Sequence, residues 1–70
     1  MKDRILRVLV AKYEAAIEAE TANLDLLLSN PVGIADHSDF VAEAENLVCK
    51  ITEFRDKLET AERLLSRNAG

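Results

Sequence analysis

Ser29-Asn30-Pro31-Val32-Gly33-Ile34-Ala35-Asp36-His37-Ser38 (residues 29–38) decides how this chain folds, because it separates two long arms that contain neither proline nor internal glycine. Proline removes a backbone donor, clashes with the preceding turn and pushes the residue before it out of helical geometry, so a helix arriving at Asn30-Pro31 must stop. Asn30, Pro31 and Gly33 occupy the first, second and fourth places of a type I turn. Val32 and Ile34 are apolar in this bend, and folding beneath it they would cover Leu27, Leu28, Phe40 and Val41.

Working outward, each arm carries one stripe of mostly apolar residues spaced alternately three and four apart. Before the bend the stripe is Asp3, Leu6, Val10, Tyr13, Ile17, Glu20, Leu24 and Leu27; after it, Phe40, Ala44, Leu47, Ile51, Phe54, Leu58, Ala61 and Leu65. That is the heptad period of helices packed along a seam. Read in opposite directions the stripes pair Leu27 with Phe40, Glu20 with Leu47, Tyr13 with Phe54 and Leu6 with Ala61, and the two numbers of every pair sum to 67 or 68. A constant sum is the signature of a straight antiparallel hairpin. The expected fold is therefore all-α: one domain over residues 1–70, a first helix over about 3–29, a bend at 30–37 and a second helix over about 38–67.

End signals agree with these bounds for the second helix. Asp36 and Ser38 are good N-caps, Asp39 and Glu43 place negative charge near the positive end of its dipole, and Arg63 and Arg67 suit the negative end. Asn68-Ala69-Gly70 is expected to fray. The first helix has the opposite arrangement, with Lys2, Arg4 and Arg7 near its N-terminus. Antiparallel pairing brings Arg7 toward Glu59 and Glu62, and Glu18 toward Lys50, an exposed kind of pair that sets register and adds little stability.

A chain of 70 residues folded as two helices has only one buried face, and domains this small bury a low fraction of their surface. Apolar residues also remain outside the seam: Ile5, Val8, Leu9 and Leu64 toward one end, and Leu26, Leu28, Val41 and Val48 toward the bend. Ala15, Ala16, Ala19 and Ala22 would let another helix approach the first one closely. These features predict self-association, most simply a homodimer of hairpins forming a four-helix bundle, with the relative direction of the hairpins left open.

Charge is distributed unevenly. Residues 1–12 carry +3 and residues 57–70 carry +1, whereas residues 13–56 carry −8, against a total of −4. The hairpin gathers Lys2, Arg4, Arg7, Lys12, Arg63 and Arg67 at its open end and leaves the bend acidic. A nucleic-acid contact through that basic end is the alternative functional reading. Against it stand a pI near 4.8 and the lack of a recognisable binding motif.

Little else in the sequence suggests chemistry. Glu20 is the one polar residue in mid-seam; its side chain either bends out to Lys50 or water, or stays buried, where it specifies partner and register or ligates a metal. His37 beside Asp36 and Asp39 reads as a solvated or capping residue, and no Glu-x-x-His spacing of a di-metal bundle occurs. Cys49 has no neighbouring histidine to act as base and, being single, rules out an internal disulfide. The expectation is a non-enzymatic protein with no metal and no cofactor. The longest nearly unbroken apolar run, Val8-Leu9-Val10-Ala11, is too short to span a bilayer, and nothing resembles a signal peptide, so a soluble cytoplasmic protein is expected.

The bend Asn30-Pro31-Val32-Gly33-Ile34-Ala35-Asp36-His37-Ser38-Asp39 resembles a segment of small uncharacterised proteins from T4-like phages of marine cyanobacteria. There it reads much like Asn-Pro-Val-Gly-Ile-Gly-Glu-His-Pro-Asp, ahead of a second helix rich in acids and Leu or Ile. The likeness covers roughly residues 28–47, and Ala35, Asp36 and Ser38 depart from the pattern. It implies a phage protein made in a bacterial host, of no established function. The apolar residues left outside the seam and the uneven charge lead to the expectation of a small interaction module that docks a host or phage protein.

Overall fold

The computed structural model describes residues 2–29 and 37–69, which form two α-helices: α1, Lys2–Leu28 (27 residues), and α2, His37–Ala69 (33 residues). The readings made above for Asn30 to Asp36, including the turn and the packing of Val32 and Ile34, lie outside the described part. So do those for the side chains of Lys2, His37 and Ser38. α1 ends where the sequence predicts. Ser29 still donates its backbone N–H to the carbonyl of Asp25 at 3.1 Å, but its hydroxyl donates to the carbonyl of Leu26 at 3.2 Å and so caps the last turn. α2 runs further than expected, since Asn68 and Ala69 continue the helix instead of fraying. The basic residue in its last turn, Arg67, lies beside the unpaired carbonyls there.

The two helices lie antiparallel as a rod of 53 × 14 × 13 Å with a Cα radius of gyration of 16.0 Å. A compact domain of this length would have a radius nearer 11 Å. The register is the one the heptad sums require. The Tyr13 and Phe54 rings meet at mid-seam with centroids 6.5 Å apart and planes tilted by 31°, and Leu6 and Ala61 line the same cleft. Every one of the sixteen seam residues is withdrawn from solvent to at least an intermediate degree. Beyond them only Leu9, Ala16, Thr21 and Leu64 share that protection among the described residues.

Withdrawal is far from complete, however. Ala61, 4% exposed, is the one buried side chain among the described residues. Two cylinders touch along a line, so each seam side chain meets its opposite number but keeps both flanks open. The chain leaves 5411 Å² accessible, whereas surface-to-mass scaling gives about 4,400 Å² for a compact folded monomer of 7.8 kDa.

The cross-helix ion pairs expected from the sequence do not form. Glu59 accepts from Arg63 at 3.3 Å and Glu53 pairs with Lys57 at 3.1 Å, both within α2 at i,i+4 spacing. One helix already holds such partners at bonding distance, so little chain entropy is lost on pairing. Arg7 and Glu18 would have had to order two side chains across the seam for a comparable gain.

Candidate interaction surface

α1 uses far more of its circumference for apolar residues than α2 does. On α1, Ile5, Val8 and Leu26 stand 58%, 61% and 70% exposed, although each is a large apolar side chain. On α2 the exposed side is mainly polar or charged, with Glu45, Thr52, Glu53, Asp56, Glu59, Thr60 and Arg63 facing outward, and its exposed large apolar residues are Val41 and Val48. Thr52 and Thr60 turn their hydroxyls back onto the carbonyls of Val48 and Asp56, at 2.9 and 3.0 Å. Those hydroxyl protons are thereby taken within the helix.

Of the eight apolar residues expected outside the seam, Ile5, Val8, Leu26, Leu28, Val41 and Val48 are exposed. Leu9 and Leu64 correct that expectation, for both are half-buried. They sit at the margin of the seam and, with Leu6, Tyr13, Lys57 and Ala61, line an open cleft of about 300 Å³ between the helices. No sequence signal sets them apart, since Ile5 and Leu26 also directly precede seam residues and are exposed. Leu9 and Leu64 contribute to the flank as well as to the line of contact.

The structure also regroups the set. Leu26 and Leu28 are two residues apart and so lie about 200° apart around α1. Leu26 shares a cleft of about 360 Å³ with Leu27, Leu47 and Lys50 on the flank that also holds Leu9 and Leu64. Val48 lines a cleft with Thr21, Leu24 and Ile51 on the opposite flank. Two separate apolar flanks therefore replace the end-by-end grouping the sequence suggested.

The remaining candidates carry no assembled chemistry. Glu20 is half-buried and accepts a hydrogen bond from Asn23 Nδ2 at 3.3 Å, one turn along the same helix, so its carboxylate is turned to the flank and not into the seam. Cys49 is a free, exposed thiol. Lys57 Nζ lies over the Phe54 ring, 5.5 Å from its centroid. Among the described residues no three His, Cys, Asp or Glu side chains come together as a metal site, and no helix is long and apolar enough to cross a membrane. Arg4, Arg7, Lys12, Arg63 and Arg67 are all exposed at the open end, with Arg63 already bonded to Glu59. Arg7 and Lys12 are five residues apart and so diverge by about 140° around α1, which spreads these cations round the rod end. No protein-family model, curated protein or solved structure matches the chain.

Proposed function

We propose that this chain is a non-enzymatic helical interaction module that self-associates into a homodimeric four-helix bundle and in that form docks a protein partner. The observation that carries this reading is the near absence of a closed core: among the described residues one, Ala61, is buried, in a rod with six large apolar side chains at least half exposed. The surface excess over a compact monomer is about 1,000 Å², close to the roughly 800 Å² per partner that a standard stable interface buries. A second hairpin laid along the first would remove that much. The resemblance of the bend to small phage proteins supports a setting in the cytoplasm of an infected bacterium, with a host or phage protein as the further partner.

Nucleic-acid contact through the open end is the weaker reading, because the cations there diverge around the rod and the chain as a whole is acidic. Sedimentation equilibrium tests the main one. A folded species of twice the chain mass at tens of micromolar supports the module; a folded monomer throughout that range sinks it.

A further inference from the structure

The outer side of α1 repeats the spacing of its own seam, one residue earlier. Leu9, Lys12, Ala16, Ala19, Asn23 and Leu26 each precede a seam residue and step by three and four. A shift of one residue is a rotation of about 100°, so α1 presents two apolar faces at nearly a right angle. That is the corner geometry of a helix with two neighbours in a square four-helix bundle. One face is occupied by α2; the other has no occupant.

Ile5, 58% exposed, extends this second stripe toward the open end, and its stretch from Leu9 to Leu26 is centred on residue 17.5. About a two-fold axis at that point residue i of one copy meets j of the other and j meets i, so Leu9 falls on Leu26, Lys12 on Asn23 and Ala16 on Ala19. Large residues fall at its ends and alanines at its centre, where two helices can come closest. Charge selects the same direction, because it lays the +3 segment of residues 1–12 against the −8 segment that includes the partner copy's bend. The axis also carries over to α2: residue 17.5 of α1 lies level with about residue 50, so Glu43 of one hairpin falls opposite Lys57 of the second copy.

Building on the self-association reading, we infer that the hairpins pair head to tail through this stripe of α1, with the two-fold axis passing between Ala16 and Ala19. The open basic end of each copy then rests on the acidic bend of the other. α1 and its copy form the apolar half of the bundle, and the two α2 helices form its polar rim.

A single spin label tests the direction. In a Cys49→Ser background, Arg4→Cys labels an exposed position. Head-to-tail pairing about residue 17.5 separates the two labels by about 40 Å along the rod, at about 1.5 Å per residue. Parallel pairing brings them within the width of the bundle, under about 20 Å. The exposed Ser66→Cys gives an independent reading, with an expected separation of about 48 Å. Sedimentation of the labelled samples separates the two ways of failing. A dimer with both long distances supports the inference; a dimer with short distances overturns it and leaves self-association standing. A monomer overturns both, and a tetramer removes the claim that this one stripe is the whole interface.

Discussion

Replacing Phe54 with alanine strikes the one place where the two helices hold each other by a ring pair. A fully buried phenylalanine costs about 3–5 kcal/mol on truncation, and Phe54 is half-buried, so about 2 kcal/mol is expected from lost burial. The Tyr13 ring, with its centroid 6.5 Å away, adds about 0.5–1.5 kcal/mol beyond area, and Lys57 over the same ring at 5.5 Å adds about 0.5 kcal/mol. Together these come to about 3 kcal/mol. A chain of this length has a total stability of roughly 4–10 kcal/mol, so such a loss is readily seen. The informative assay is a double-mutant cycle of Tyr13→Ala and Phe54→Ala, followed by urea denaturation and helical circular dichroism at one fixed protein concentration. The Lys57 contribution is lost with Phe54 whether or not Tyr13 is present, and so cancels. A coupling of about 0.5–1.5 kcal/mol is expected from the ring pair alone. Tyr13→Ala with Phe40→Ala is the control, because Phe40 lies at the far end of the seam. A coupling for Tyr13 and Phe54 no larger than in that control would mean the rings do not meet, and the register deduced from the constant sums would be wrong.

Four further outcomes follow from the same structure. Ala61→Leu adds bulk at the only closed point of the seam and should lower stability by about 1–3 kcal/mol, read as an earlier urea midpoint at unchanged slope. Ala19→Glu, at an exposed site, should leave the helical signal intact but abolish the dimer peak in sedimentation velocity; an undisturbed dimer would exclude the α1 stripe as interface. Arg63→Met removes an exposed ion pair and should change stability by no more than about 0.5 kcal/mol, a larger loss showing that this pair is not merely local. Raising salt from about 0.05 M to about 0.5 M should weaken head-to-tail association, because screening shortens the reach of the basic end toward the acidic bend. A dimer that tightens over that range would argue for parallel pairing of like ends.

The seam was fully legible in advance because its cause is local. Alternation by three and four is a property of one helix, and its direction follows from a proline that no helix interior accommodates. Leu9 and Leu64 were misplaced because flank burial depends on how far the partner helix reaches round, which spacing along one chain does not encode. The ion pairs failed for a related reason. Juxtaposing Arg7 with Glu59 in register says nothing of Arg63, which reaches the same carboxylate from within α2 at less entropic cost.

The two helices and their register follow from the residues alone, since each rests on backbone sterics and on the period of a single stripe. That the seam closes at Ala61, and that Leu9 and Leu64 are drawn into its margin while Ile5 and Leu26 stay exposed, depends on the packing in three dimensions. Packing also sets the α1 flank, with Leu9 and Leu26, beside open grooves and not beneath a neighbour. Burial is a property of what surrounds a side chain in three dimensions, and two cylinders in contact can enclose very little.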